Sequence, residues 1–202
     1  MVVKNVLFIV VALCFVGSSD PKVILFFGDS LTAGYGLSPD QAFPALIEKK
    51  CTENAIPCKA INAGLSGETS AGGLSRIDWV LRQPIDVFVL ELGANDGLRG
   101  LPLEQTRKNL QSIIDKVKAR YPAVKIVIAG MMVPPKMGPD YSAAFSKIFP
   151  DLAKKNHATL IPFLLEDVAG HQDLNQDDGI HPNPEGHRIV AENVYRVLSP
   201  LL

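Results

Sequence analysis

Short apolar runs alternate along this chain with longer segments whose apolar positions recur every three or four residues. The runs predict strands at 23–27, 60–62, 86–92, 124–131 and 159–163. The recurring positions predict helices at 40–50, at 70–81, after Pro102, across 141–152 and after Asn183-Pro184. Strands that alternate with helices form a parallel sheet covered on both faces, so we predict a three-layer α/β/α fold. Right-handed crossovers favour a five-stranded parallel sheet in the flavodoxin-like order 2-1-3-4-5.

Several prolines interrupt the second half of the pattern. The segment 133–140 predicts a long, proline-rich loop, and we expect the helix across 141–152 to kink at Pro150.

Composition and charge narrow the classes of protein. The chain has 202 residues, is 47% hydrophobic and carries a net charge of −1. These values fit one globular domain, which we place at 20–202. We expect no nucleic-acid partner, because the chain has no run of basic residues. We expect a monomer.

Residues 1–19 predict a cleaved secretory signal peptide. Lys4 precedes an apolar run from Val6 to Val16, and small residues follow at 17–19. The run is too short for a membrane-spanning helix, which needs ~20 apolar residues. A lipoprotein attached through Cys14 is the alternative, although Leu13 stands where a small residue is expected. Export through this segment would place the protein in a bacterial periplasm or outside the cell.

Export also affects the interpretation of the cysteines. Cys51 and Cys58 are the two that would remain after cleavage, with six residues between them. An even number in an oxidising compartment favours a disulfide, and two unpaired buried thiols are the alternative.

The candidate catalytic residues lie in the segments that follow the predicted strands. Ser30 stands just after the first strand, where it is either a helix N-cap or a nucleophile at the carboxyl edge of the sheet. Gly67 and Asn95 follow the next two strands and would face the same crevice. His181 precedes the last helix, and Asp178 lies three residues before it on a glycine-containing turn. A histidine oriented by a carboxylate can activate a serine.

The other histidines and Asp29 are predicted to have structural rather than catalytic roles. We interpret His157, His171 and His187 as surface or core residues. Asp29 is adjacent to Ser30, so we expect its side chain to point away and to be structural.

Four blocks in order resemble the SGNH, or GDSL, hydrolase family. They are Gly28-Asp-Ser-Leu31, Ser66-Gly-Glu-Thr69, Gly93-Ala-Asn-Asp96 and Asp178-Gly-Ile-His181. The resemblance covers nearly all of 23–202, and it is greatest to small exported bacterial esterases that include arylesterases, acyl-CoA thioesterase I and lysophospholipase.

The resemblance implies a serine esterase that uses no cofactor and no metal. Ser30 would attack an ester or thioester carbonyl, His181 would take the proton and Asp178 would orient His181. The amides of Ser30, Gly67 and Asn95 would hold the oxyanion. We expect Leu98, Arg99, Met132 and Pro134 to contact the substrate, a small acyl or aryl ester, thioester or lysophospholipid.

Other classes of function fit the sequence less well. A flavodoxin-like binding module would need a glycine-rich phosphate loop, and a metal hydrolase would need clustered ligands; the sequence has neither motif. A carbohydrate O-deacetylase on the same scaffold stays open. Apolar residues in the expected loops favour an acyl or aryl group over a sugar: Leu98, Leu101, Met131, Met132, Val133 and Met137.

Overall fold

The five apolar runs form five parallel strands in the computed structural model, which describes residues 20–202. The strands are β1 (Lys22–Gly28), β2 (Cys58–Gly64), β3 (Val87–Glu91), β4 (Lys125–Ala129) and β5 (Thr159–Ile161). Their order is β2-β1-β3-β4-β5, and every neighbouring pair is parallel. The predicted fold class and strand order are confirmed. The signal peptide predicted at 1–19 lies outside the described residues.

Helices cover both faces of this sheet. They are α1 (Ser30–Ala33), α2 (Phe43–Glu53), α3 (Ser70–Val80), α4 (Ala94–Leu98), α5 (Leu103–Arg120), α6 (Pro139–Ser146), α7 (Ile148–Asn156) and α8 (Pro184–Leu198). Helix α2 packs against α8, while α5 packs against both α3 and α7. The central strands β1 and β3 are buried on both sides, as their unbroken apolar runs predict.

Prolines explain where the element boundaries differ from the prediction. Pro162 has no N–H to donate, and β5 ends just before it rather than at 163. Pro44 lies in the first turn of α2, which begins at Phe43 rather than at 40.

The predicted kink at Pro150 is wrong. The helical segment is interrupted at Lys147, between α6 and α7, and Pro150 is the third residue of α7. N–H groups in the first turn of a helix have no intrahelical acceptor, so a proline is tolerated there. The expected loop 133–140 is partly helical, with a 3₁₀ turn at Pro135–Met137 and the start of α6 at Pro139.

A disulfide joins Cys51 in α2 to Cys58 at the start of β2. It ties the helix to an edge strand, and it selects the bonded alternative of the two that the sequence leaves open. None of the helices within 20–202 is both long and apolar enough to cross a membrane.

Candidate active site

Ser30 lies at the sharp turn from β1 into α1. Asp29 caps this helix, because its Oδ1 accepts a hydrogen bond from the Leu31 N–H at 3.0 Å. The alternative in which Ser30 is the N-cap is therefore wrong. The Ser30 Oγ instead lies 2.9 Å from Nε2 of His181.

His181 is held by a tight turn before α8. Its Nδ1 lies 2.6 Å from Oδ2 of Asp178, whose Oδ1 accepts the N–H groups of Ile180 and His181 at 3.0 Å each. Gly179 has a φ of +72°, so a residue without a Cβ suits the turn. Partial burial opposes ionisation of Asp178, but these hydrogen bonds outweigh it and lower its pKa to about 2. Asp178 is therefore a carboxylate.

Two residues that sequence reasoning missed steady the histidine. Gln176 donates through its side chain to the Tyr35 carbonyl at 2.7 Å, and its N–H donates to the His181 carbonyl at 2.8 Å. The rings of Tyr35 and His181 are 4.7 Å apart between centroids. This contact links the segment after α1 to the loop before α8. No pattern in the sequence points to such a pairing of distant loops.

The three expected oxyanion donors come from the loops after β1, β2 and β3. The N–H groups of Ser30 and Gly67 donate to no other group among residues 20–202. Gly67 has a φ of +78°, a conformation that favours glycine. The Asn95 side-chain amide donates to Oδ2 of Asp29 and to the Glu68 carbonyl, at 3.1 Å each.

Asp29 does not point away from the site, contrary to expectation. Its side chain is 1% exposed and accepts the hydrogen bond from Asn95 described above. Burial raises the pKa of Asp29 to about 6, although hydrogen bonds from Leu31 and Asn95 act against the rise. Asp29 is structural, as expected, but its role is to hold Asn95.

Glu91 is a second buried carboxyl group that sequence reasoning missed. Its Oε2 accepts hydrogen bonds from the Asp29 N–H at 3.1 Å, the Thr32 N–H at 3.3 Å and the Thr32 hydroxyl at 2.7 Å. Burial, and then the neighbouring Asp29, raise the pKa of Glu91 well above its ordinary value. The available signal was an acidic residue at the end of an otherwise apolar strand.

Two further polar groups fix the loops that carry Gly67 and Asn95. Asp96 accepts the Ser70 N–H at 2.8 Å and also the hydroxyl groups of Ser70 and Thr106. Arg76 donates to both carboxylate oxygens of Glu68, whose side chain is buried. The contacts of Asp96 with Ser70 bind the start of α3 to α4.

Some of the expected substrate contacts are exposed, and one is already hydrogen-bonded within the protein. Leu98 and Met132 are exposed, while Pro134 is half-buried. Arg99 donates to the Gly67 carbonyl at 3.0 Å, so its guanidinium already steadies that loop.

Met131 and Val133 are buried in the core and do not line an open surface, contrary to expectation.

Comparison with known proteins gives consistent matches. The profile of the GDSL-like lipase/acylhydrolase family matches residues 26–189. Esterase TesA of Pseudomonas aeruginosa is 39% identical over 182 residues, which are 90% of each chain. Thioesterase 1/protease 1/lysophospholipase L1 of Escherichia coli K12 is 39% identical over 180 residues, 89% of this chain and 84% of that protein. The crystal structure of TesA superposes with a TM-score of 0.85 at 39% identity, covering 90% of this chain and all of that one.

Proposed function

Because the chain belongs to the GDSL-like lipase/acylhydrolase family, we propose that it hydrolyses carboxylic ester or thioester bonds with Ser30 as the nucleophile. One observation carries the proposal. Ser30 Oγ, the His181 ring and Asp178 form a continuous hydrogen-bonded chain, with spacings of 2.9 Å and 2.6 Å. A nucleophile bonded to a base that is oriented by a third group is the arrangement that activates a serine.

The direction of proton transfer follows from the charge of Asp178. As a carboxylate it only accepts, so Nδ1 of His181 carries the proton and Nε2 is left to accept from the Ser30 hydroxyl. Ser30 then attacks the acyl carbon, and His181 returns the proton to the leaving alcohol or thiol. Water, deprotonated by the same nitrogen, cleaves the acyl-Ser30 ester and regenerates the serine.

The developing oxyanion is held by three donors. The Ser30 and Gly67 N–H groups are free to bind it, while the Asn95 amide exchanges its bond to the Glu68 carbonyl for one to the oxyanion. The bond to Asp29 keeps the amide oriented during this exchange. Each such donor is worth ~3–4 kcal/mol at the transition state.

Ser30→Ala tests the nucleophile. We expect the variant to lose turnover by a factor on the order of 10⁴–10⁶ while it keeps its melting temperature. A phosphonate ester should add to one residue of the wild type, detected by mass spectrometry, and to none in Ser30→Ala. Ser75→Ala, at an exposed position on α3, is the control and should react like the wild type. Wild-type turnover in Ser30→Ala would contradict the proposal.

The acyl or aryl group, rather than a sugar, is favoured by the exposed apolar side chains of Leu98 and Met132. Rates on short and long p-nitrophenyl esters, acyl-CoA, lysophosphatidylcholine and acetylated sugars distinguish these classes. A preference for the acetylated sugars would support the carbohydrate O-deacetylase instead.

The proposal includes export. The Cys51–Cys58 disulfide supports an oxidising compartment, and residues 1–19 have the composition of a signal peptide. The mass of the protein recovered from the periplasm or medium of a bacterial host tests cleavage near residue 19. The monomeric state stays a prediction, which size-exclusion chromatography tests.

A further inference from the structure

Glu91 lies beneath the turn that carries the nucleophile. It ends β3, pairs in register with Gly28 of β1 and is 1% exposed. A Cβ at Gly28 would lie 2.3 Å from Oε2 of Glu91, so the glycine leaves the space that this side chain fills. The carboxyl group thereby reaches the backbone on either side of Ser30, at Asp29 and Thr32.

The hydrogen bonds of Glu91 are markedly unequal between its two oxygens. Three donors converge on Oε2, whereas Oε1 is buried and has no partner within the described residues. A carboxylate shares its charge between both oxygens and attracts donors to each. A neutral acid has one carbonyl oxygen that accepts and one hydroxyl group. The geometry therefore matches a neutral acid with Oε2 as its carbonyl oxygen.

The surroundings of Glu91 offer no charge to balance a carboxylate. No lysine, arginine or histidine forms an ion pair with Glu91 or Asp29 in the part of the chain that the structure describes. The titratable group that faces Glu91 is Asp29, which itself faces Glu68 and His181. An isolated buried charge costs far more than one unmet hydroxyl group.

The two carboxyl groups have different tasks. Asp29 as a carboxylate accepts both the Leu31 N–H and the Asn95 amide. Two adjacent buried carboxyl groups do not both ionise readily. An uncharged Glu91 therefore allows Asp29 to keep its charge and its hold on Asn95.

We propose that Glu91 is a positioning residue of the esterase site, a neutral acid that fixes the backbone around Ser30 and leaves Asp29 charged to orient Asn95. The proposal rests on the proposed function of Ser30. Glu91 touches no reacting atom, so its effect reaches the reaction through Asp29 and Thr32.

Two substitutions at position 91 separate the parts of the proposal. Glu91→Gln keeps a carbonyl oxygen for the three donors, so kcat should stay within about threefold of the wild type. Glu91→Met keeps the length and removes the acceptor, and it should lower kcat by roughly 10²-fold with KM nearly unchanged. The rate at which a phosphonate ester labels Ser30 should fall in proportion. Unchanged kcat and labelling in folded Glu91→Met would overturn the positioning role.

A second variant keeps this test decisive if Glu91→Met does not fold. Thr32→Val removes the hydroxyl donor to Oε2 and keeps the backbone. A smaller loss of kcat at constant KM is expected, and full activity would overturn the proposal.

Stability against pH tests the neutral state. Glu91 has the ordinary pKa of 4.5 in the unfolded chain and a raised pKa in the folded protein. The folded protein therefore becomes less stable as the pH rises from 4.5 toward that raised pKa. The unfolding constant of the wild type, divided by that of Glu91→Gln, should rise by up to about tenfold per pH unit above 4.5. A flat or falling ratio would overturn the neutral acid.

Glu68→Gln is the matched control, because it removes a buried carboxylate that pairs with Arg76. It should be less stable than the wild type at neutral pH, whereas Glu91→Gln should not. Ser30→Ala, assayed in parallel, separates the two levels of inference. If Ser30→Ala is active, the proposed function fails; if it is inactive and Glu91→Met is fully active, the inference on Glu91 alone fails.

Discussion

At the scale of single residues, each group in the site depends on a neighbour that holds it in place. Asp178 orients His181, and Asp29 orients Asn95. The first pair is local in sequence, so a three-residue spacing suffices to predict it. The second pair joins residues 66 positions apart and depends on the sheet to bring their loops together.

Asn95→Ala should lower kcat by roughly 10²–10³-fold, because one oxyanion donor is lost. It should also lower the free energy of unfolding by about 1–3 kcal/mol, because buried Asp29 loses a hydrogen-bond donor. Steady-state kinetics and urea denaturation measure the two effects. Asn193→Ala on α8 is the control and should keep kcat. A change in KM alone would make Asn95 a binding residue instead.

Asp178→Asn should lower kcat by somewhat less than ~10⁴-fold, the loss for such a change in a comparable triad. The amide keeps the shape of the side chain, but it no longer fixes the tautomer of His181 or stabilises the imidazolium. Asp177→Asn is the matched control, since Asp177 is exposed and adjacent. An inactive Asp177→Asn beside an active Asp178→Asn would show that the acid is wrongly assigned.

The limits of sequence reasoning at this scale are physical. The motifs predicted the pairing of Asp178 with His181 because a local turn fixes their spacing, and they predicted Ser30 from its place at the end of the first strand. They did not predict Tyr35 or Gln176, since that contact depends on how two distant loops pack. Asp29 was misplaced because simple alternation along an extended backbone does not hold at a helix cap.

At the scale of elements, the ends of strands and the starts of helices place the chemistry. Ser30 begins α1, and His181 lies just before α8, which Asn183 caps by accepting the N–H groups of Glu185 and Gly186. Apolar periodicity predicted all five strands and most of the longer helices. It did not predict the short helices α1 and α4 or the break at Lys147, because one or two turns contain too few apolar positions to reveal a period.

Helix α3 offers a matched pair of adjacent glycines. A Cβ at Gly73 would lie 2.4 Å from Cδ1 of buried Leu92, whereas a Cβ at Gly72 would lie 3.2 Å from its nearest neighbour, Cγ of Glu68. Gly73→Ala should therefore destabilise the protein by about 1–3 kcal/mol through overpacking. Gly72→Ala should change stability by less than about 1 kcal/mol. Urea denaturation measures both, and equal stabilities would contradict the predicted order.

At the scale of the whole molecule, the packed helices α2 and α8 connect the site to the stability of the fold. Helix α8 begins just after His181 and packs on α2, and its His187 enters the space between them. Nδ1 of His187 accepts the Phe43 N–H at 3.1 Å, and its ring stacks on Phe43. Acid that charges His187 would therefore weaken the layer that supports the loop carrying His181.

His187 should make the protein sensitive to mild acid. Burial lowers its pKa from 6.5 to about 4, so the unfolded chain binds a proton below pH 6.5 and the folded protein does so only near pH 4. The free energy of unfolding should therefore fall as pH falls across that window, by up to about 3 kcal/mol, and level off below it. His187→Asn keeps an acceptor for the Phe43 N–H and cannot be protonated, so its unfolding curves between pH 7 and 4 should lack this component. His171→Asn, at an exposed position, is the control and should follow the wild type. If His187→Asn loses as much stability as the wild type across the window, His187 is not the group responsible.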